Sequence, residues 1–148
     1  MTRLFALLLL GLTSCSSLVA APDIPLAGTD PAAAWSRNLA AHVDEAGAID
    51  FDGMADESDD LDLTVAWIAE PRDPELTGEA RIAYLVNAYN ALAMYGVLHS
   101  GVLPKQKVRF FYFCEYEEDG RRISLYDFEN DVIRPLGEPR IHFALNLS

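Results

Sequence analysis

Five polar side chains in the second half of the chain are of the types that form catalytic sites. Asn87 and Asn90 are three residues apart on a predicted helix, so their amides lie on one side of it. Glu129 lies on a second predicted helix. His142 and Asn146 lie near the end of the sequence, where alternating apolar and polar residues place both on one face of a strand. A histidine, a carboxylate and an amide can serve as base, orienting group and hydrogen-bond donor in one site.

Each of these residues also has a structural interpretation. Asn87 and Asn90 can satisfy neighbouring backbone groups, as buried amides usually do. Glu129 can form a salt bridge with Arg134 or Arg140, and His142 can be a core residue. The residues alone leave both interpretations open.

The longest predicted element, Thr77 to Gly101, is a helix that organises the rest of the chain. Thr77 is the expected N-cap and Gly101 is placed to end the helix. One face of this helix is apolar, with residues recurring at helical spacing. The residues of this stripe are Ile82, Leu85, Val86, Tyr89, Leu92, Ala93, Gly96 and Val97.

Two helices and a short strand are predicted before the central helix. Asp30 and Pro31 start a helix that Gly47 stops, and His42 is expected to pack against it rather than to do chemistry. Residues 48–52 suggest a short strand. A second helix starts near Asp60 and buries an apolar face formed by Leu61, Val65 and Ile68.

A sheet is predicted after the central helix. Residues 108–116 give the strongest strand signal, and Asp119-Gly120 favours a tight hairpin turn into residues 121–124. Ser124 caps a helix over residues 125–133. Residues 140–146 form the last predicted strand. The fold class is therefore α+β, with helices packed on a small, mostly antiparallel sheet around a long, buried central helix.

The composition excludes several partners. The formal net charge is −12 over 148 residues, which argues against nucleic acid and against electrostatic attachment of the whole molecule to anionic lipid. Residues 56–62 and 115–119 are acidic runs, expected to be solvated surface because they lack the pattern of a calcium loop. Three widely spaced histidines give no recognisable metal-ligand set, so neither a metal nor another cofactor is predicted.

Residues 1–21 have the features of an export segment: Arg3 is followed by an apolar run that is too short to span a bilayer stably. Leu12-Thr13-Ser14-Cys15 resembles the bacterial lipobox, in which the Cys is acylated and becomes the mature N-terminus. The alternative is ordinary cleavage near Ala20 or Ala21. Acylation predicts a protein exported to the periplasmic face of a membrane and anchored there through Cys15. Residues 1–21 then lie outside the fold, residues 22–29 form a tether, and residues 30–148 form a single domain.

The second cysteine, Cys114, has no partner for an intramolecular disulfide if Cys15 is acylated. Aromatic residues surround Cys114 in the sequence, so we expect a packed and inert thiol rather than a nucleophile.

Four sequence motifs together resemble the family catalogued as domain of unknown function 547. They occur in that family's order and are residues 47–51 (GAIDF), 84–91 (YLVNAYNA), 123–130 (ISLYDFEN) and 139–146 (PRIHFALN). The resemblance implies an exported protein and a possible thiol-hydrolase or transglutaminase-like site. In that site His142, with Glu129, Asn87 or Asn90, would assist a Cys nucleophile.

The sequence departs from the family pattern where the Cys is expected, because Leu147 stands there and leucine cannot act as a nucleophile. Whether the protein is an enzyme is therefore uncertain. One expectation is that the sequence is a C-terminally truncated fragment or a frameshifted reading, and the other is an inactive relative retained for binding. The alternative function is a lipid-tethered binding or scaffold module, in which part of the aromatic segment 110–113 is exposed.

Overall fold

The computed structural model describes residues 17–72, 76–103 and 105–145, without the side chains of His142 and Phe143. In chain order the elements are strand β1 (Ser17–Leu18), helices α1 (Pro31–His42), α2 (Phe51–Asp56), α3 (Asp59–Ala69) and α4 (Gly78–His99), strands β2 (Cys114–Glu118) and β3 (Arg121–Ser124), and helices α5 (Leu125–Asp127) and α6 (Ile141–Ala144). A π-helical turn, Arg109–Phe113, precedes β2. Helix α5 continues into the π-helical turns Phe128–Ile133 and the 3-10 turn Arg134–Leu136. The predicted α+β class is confirmed.

Helix α4 is the predicted central helix and has almost the predicted bounds. Its first half is buried on one side, whereas its second half is buried all round, with Ala91 to Gly96 enclosed by other elements. Thr77 occupies the N-cap position but makes no side-chain capping hydrogen bond. Gly101, with a φ of 65°, follows the last turn. In the C-terminal half of α4 the buried surface is therefore wider than the predicted apolar stripe.

Two of the helices before α4, α1 and α2, start at an aspartate whose side chain accepts a capping hydrogen bond. Asp30 accepts from the backbone N–H of Ala33 at 3.0 Å, as predicted, and Asp50 accepts from that of Gly53 at 3.0 Å. The second cap explains why the predicted strand at residues 48–52 is wrong. Only Ile49 makes a bridge, to Val43, and residues 51 and 52 already belong to α2. Helix α3 buries its predicted face formed by Leu61, Val65 and Ile68.

The sheet has three strands in the order β1-β2-β3. The predicted hairpin is confirmed, with Glu118 paired to Arg121 across a turn in which Asp119 and Gly120 have φ angles of 51° and 72°. The predicted strand is longer than the observed one, because residues 109–113 form a π-helical turn that buries Phe110 completely. Alternation in a run of consecutive aromatics could not distinguish that turn from a strand.

The edge strand β1 comes from residues that were expected to lie outside the fold. Ser17 pairs with Cys114 and Leu18 with Glu115, in parallel. Val19 extends the pairing through its N–H to the carbonyl of Glu115 at 2.8 Å and is only 7% exposed. The prediction that residues 17–21 lie outside the fold is wrong. The sheet is mostly antiparallel, as predicted, with four antiparallel residue pairs between β2 and β3 and two parallel pairs between β1 and β2. Residues 1–16, including Arg3 and Cys15, lie outside the described part of the chain.

The last predicted strand is also wrong, because residues 141–144 form helix α6. Glu138 accepts hydrogen bonds from the backbone N–H of Arg140 at 3.0 Å and from its guanidinium at 2.8 Å, which organises the turn that starts the helix. Ile141 and Leu145, four residues apart, are both buried. That spacing fits one face of a helix as well as alternate positions of a strand.

The second acidic run is not solvated throughout, as it was expected to be. Glu118 is 2% exposed and forms a salt bridge with Arg121 at 2.8 Å, while the hydroxyl of Tyr84 donates to it at 3.3 Å. Arg72 donates to the Tyr84 hydroxyl at 2.6 Å and lies 4.1 Å from the Trp67 ring centroid. Burial and the charge of Glu118 raise the pKa of Tyr84. A buried charge requires such partners, so this network fixes the hairpin to α3 and α4.

Substitution of Gly96 by alanine is expected to destabilise the fold. A Cβ atom at this position would lie 2.0 Å from the hydroxyl oxygen of Tyr116 and 2.9 Å from its ring carbon, and Tyr116 is 1% exposed. The better helix propensity of alanine contributes about 1 kcal/mol in the opposite direction. We expect a net loss of about 1–3 kcal/mol in the free energy of unfolding, measured by urea denaturation.

A double-mutant cycle provides the control for this prediction. The Tyr116 hydroxyl makes no hydrogen bond within the described residues, so Tyr116→Phe alone should change stability little. Combined with Gly96→Ala, it should recover part of the loss because the closest atom has been removed. Strictly additive effects would contradict the proposed contact.

Candidate functional site

A cavity of about 250 Å³ lies between the turns that follow α5 and the start of α6. Glu129, Arg134 and Glu138 contribute its charged groups, and Ile141 and Leu145 contribute apolar walls. Gly137 and Pro139 complete the lining. The cavity therefore combines one predicted site residue, Glu129, with the helix that carries another, His142.

Glu129 is held in an ion pair. Its carboxylate accepts from Arg134 Nε at 3.1 Å and Nη2 at 2.5 Å, and its side chain is 13% exposed against 51% for Arg134. The structural interpretation of Glu129 is therefore confirmed, with Arg134 and not Arg140 as the partner. The pair presents a half-exposed guanidinium to the cavity.

Tyr89, which was predicted only as part of the apolar stripe, is a fully buried phenol close to Glu129. Burial raises the pKa of the Tyr89 hydroxyl, and the negative charge of Glu129 raises it further. The hydroxyl does not reach hydrogen-bonding geometry with any described residue. A phenol with a raised pKa remains protonated at neutral pH, so it can donate a hydrogen bond but cannot act as a base.

Asn90 attaches α6 to α4. Its side-chain amide donates to the carbonyl of Ala144 at 2.9 Å, across 54 positions of the chain. It therefore supports the helix in which His142 lies, two residues before the accepting carbonyl. Asn87 lies one turn earlier on α4 and is exposed. The structure thus brings Asn90, but not Asn87, into contact with the α6 backbone.

The remaining predicted site positions lie outside the described part of the chain. Asn146 and Leu147 are not described, and for His142 only the backbone is described, within α6. The backbone of α6 is joined to Asn90, and Leu145 lines the same cavity as Glu129. The catalytic roles of His142, Glu129, Asn87 and Asn90 stay predictions.

Glu138 and Arg140 form a second ion pair at the cavity edge. Hydrogen bonds from the guanidinium and backbone N–H of Arg140 lower the pKa of Glu138 to about 2. Glu138 is therefore ionised throughout the neutral range. Glu138 and Arg140 stand on either side of a proline, a spacing that gives no sequence signal for an ion pair, so this pair was not predicted.

Among residues 17–72, 76–103 and 105–145, no group of three or more His, Cys, Asp or Glu side chains is arranged to hold a metal ion. In the same ranges no helix is long and apolar enough to cross a membrane. Cys114, the only cysteine in those ranges, is completely buried, as predicted for a packed thiol.

The fold is α+β, and its central helix carries Asn90, which holds α6 beside a cavity lined by residues of the C-terminal third of the chain. The chain belongs to the family described as "Protein of unknown function, DUF547", whose sequence profile matches residues 74–148. Three of the four motifs that carry the resemblance lie within this range, and residues 47–51 lie outside it. Neither the curated proteins nor the solved structures contain a significant match.

Replacing Asn90 by alanine is expected to loosen α6 without unfolding the domain. The change removes the hydrogen bond to Ala144 and should reduce the stability of this contact by about 0.5–1.5 kcal/mol. Amide hydrogen exchange of residues 141–145 should then become faster by up to about tenfold. Asn87→Ala is the matched control, since Asn87 is exposed on the same helix. Equal effects of both changes would show that Asn90 does not hold α6.

Proposed function

We propose that this protein is an exported lipoprotein of the bacterial cell envelope, held at the periplasmic face of a membrane by acyl chains on Cys15. The observation that carries the proposal is strand β1. Cleavage before Cys15 leaves Ser17 and Leu18 in the mature protein, where they pair with β2. Cleavage near Ala20 or Ala21 would remove the strand.

The contacts of residues 19–21 support the same cleavage site. The Tyr95 hydroxyl donates to the carbonyl of Ala20 at 3.1 Å, and the N–H of Ala21 donates to Glu117 at 3.0 Å. Loss of Val19 would also expose core surface. A leader peptide is removed after export, so its residues cannot stabilise the mature fold. The first residues of a mature protein can be held in the fold by core contacts such as these.

On this proposal, residues 22–29 are not the tether between lipid and domain. Only Ser16 separates Cys15 from the first residue of β1. The lipid therefore attaches almost directly to the sheet. Two or three acyl chains give a stable anchor without a transmembrane helix.

The domain itself is proposed to derive from a thiol-hydrolase or transglutaminase-like scaffold and to lack thiol chemistry in this chain. Of the two cysteines in the sequence, Cys15 would be acylated and Cys114 is 0% exposed. Leu147 stands where the resemblance places the nucleophile. Glu129 already has its charge neutralised by Arg134, which supports a structural or binding role for the carboxylate.

A binding module without catalysis is the second candidate, and the cavity favours it. Apolar walls from Ile141 and Leu145 lie beside the Glu129–Arg134 ion pair, so the cavity can hold a small ligand that combines an apolar part with hydrogen-bonding groups. Such a site needs no nucleophile. Both candidate functions include the lipid anchor at Cys15. They differ in whether the cavity is the remnant of a catalytic site or a binding site.

Replacing Cys15 by serine is expected to abolish membrane retention, because serine cannot be acylated by the lipoprotein pathway. The full chain would be expressed in a bacterial host, and membranes would be separated from the soluble fraction. The wild-type protein should require detergent for extraction, and mass spectrometry should place acyl chains on an N-terminal Cys15. Ser14→Ala, which keeps a small residue before the cysteine, is the control. A wild-type mature protein beginning at residue 21 or 22 would contradict the proposal.

The Cys114 thiol is expected to be inert towards a small electrophile in the folded protein. Because the side chain is fully buried, alkylation by a maleimide should require opening of the structure. Labelling should be at least about 100-fold slower than at an exposed cysteine introduced by Ser36→Cys, and should reach completion in denaturant. Rapid, stoichiometric labelling of native Cys114 would instead indicate an accessible nucleophile and revive thiol chemistry.

A further inference from the structure

The exposed apolar side chains are concentrated in one region. Of six large hydrophobic residues exposed in the described part of the chain, Leu76 is the exception and five lie in or against residues 103–113. Those five are 39% to 64% exposed and comprise Leu103, Val108, Tyr112, Phe113 and Tyr126. Scattered exposed hydrophobics are ordinary, but a cluster of them marks an interaction surface. We call the surface formed by the exposed residues 103, 105–109, 112, 113 and 126 the aromatic-basic face.

The aromatic-basic face is held in position by the core. Phe110 is completely buried and packs edge-on against Phe111, with ring centroids 5.2 Å apart. On the outer side, Tyr112 stacks on Tyr126 of α5, with ring centroids 4.1 Å apart and planes 21° apart. The exposed Tyr112 and Tyr126 rings are therefore held against each other before any partner binds, which lowers the entropic cost of binding.

The charges of this face are opposite in sign to those of the whole protein. Lys105, Lys107 and Arg109 are exposed and form no ion pair within the described residues, in a chain of net charge −12. Lys105 and Lys107 are the chain's two lysines. Aromatic rings beside unpaired cations are the composition of segments that lie at the interface of anionic bilayers.

The position of the proposed lipid points to the same partner. Strands β1 and β2 are parallel, so both begin at the same end of the sheet, where Ser17 pairs with Cys114. Cys15 is two residues before Ser17 in the sequence, and two residues of any chain span at most about 7 Å. The acyl chains therefore leave the domain close to Phe113, the residue before Cys114.

We propose that the aromatic-basic face docks on the surface of an anionic phospholipid bilayer. Tyr112, Phe113 and Tyr126 lie at the level of the headgroups, and the two lysines and Arg109 contact lipid phosphates. The net charge of −12 argues against electrostatic attachment of the whole molecule. Binding through one face depends instead on the charges that lie within a Debye length of the bilayer surface. This orientation rests on the proposed acylation of Cys15, whereas the affinity of the face for lipid does not.

The affinity can be tested without the lipid anchor. A chain that lacks residues 1–16 retains every described residue and would be mixed with vesicles of phosphatidylcholine, alone or with about one third phosphatidylglycerol, and sedimented. We expect binding to the anionic vesicles that weakens as salt is added. Lys105→Ala combined with Lys107→Ala should reduce the partition coefficient about 25-fold, since each cation contributes about fivefold.

Arg37→Ala combined with Arg122→Ala is the matched control, because it changes the net charge equally. Arg122 lies opposite Glu117 in the register of β2 and β3, near the hairpin end of β2, and Arg37 of α1 forms a salt bridge with Asp60 of α3. This control should bind like the wild type. Equal losses in both variants, or equal binding to neutral and anionic vesicles, would overturn the proposal.

A second measurement needs no variant. Amide hydrogen exchange of residues 105–113 should slow when anionic vesicles are added to the shortened chain, while α1 should not change. If sedimentation equilibrium instead shows a dimer that Tyr112→Ser dissociates, a second copy covers the face and the proposal is wrong. Failure of acylation at Cys15 would leave both measurements unaffected, so the two proposals are tested separately.

Discussion

The close contact between Gly96 of helix α4 and Tyr116 of strand β2 is the constraint on which the rest of the structure depends. A side chain at residue 96 would overlap the Tyr116 hydroxyl, so only glycine lets the strand lie this close to the helix. Cys114, Tyr116 and Glu118 all face inward along β2, and all three are buried. The contact of Tyr116 with Gly96 fixes the register of the sheet relative to α4, because a shift by one residue would turn the buried face of β2 outward.

That register decides where polar groups can be buried. At the hairpin end of β2, Glu118 meets Arg121 and the Tyr84 hydroxyl, and Arg72 completes the network. Beside the middle of α4, Glu129 meets Arg134 near Tyr89. In both places a carboxylate is paired with an arginine next to a tyrosine whose pKa is raised mainly by burial. Each pair is retained near a cavity edge, where the guanidinium keeps access to water and the cost of desolvation is smaller.

The sequence predicts those elements whose signals are local. Helix caps at Asp30 and Ser124, the hairpin at Asp119-Gly120 and the long apolar helix are each specified by a few neighbouring residues, and all are confirmed. The errors occur where two periods fit the same residues. Ile141 and Leu145 suit a strand or a helix, and only the hydrogen bonds from Arg140 to Glu138 and from Asn90 to Ala144 select the helix. The first contact is local but has no recognised sequence signal, and the second joins residues 54 positions apart, which a local pattern does not contain.

For the same reason, only part of the candidate site could be predicted from the sequence. Glu129 and Asn90 were identified from residue type and motif, but the ion pair with Arg134 and the attachment of α6 follow from the packing of separate segments. Tyr89 was assigned to the core because its spacing matches the apolar stripe, and a phenol on such a stripe carries no separate signal. Strand β1 was missed for a different reason. Its short apolar sequence continues the composition of the leader, and only its pairing with Cys114 distinguishes the two.

The proposed anchor and the cavity are connected through α5. Tyr126 belongs to the aromatic-basic face, and Glu129, three residues later, lines the cavity, so one short segment contributes to both. The Arg72–Glu118 network, in contrast, lies at the hairpin, the end of β2 remote from Cys114. On the proposed orientation, the hairpin therefore points away from the bilayer, because it lies at the end of β2 opposite Cys114 and the proposed anchor.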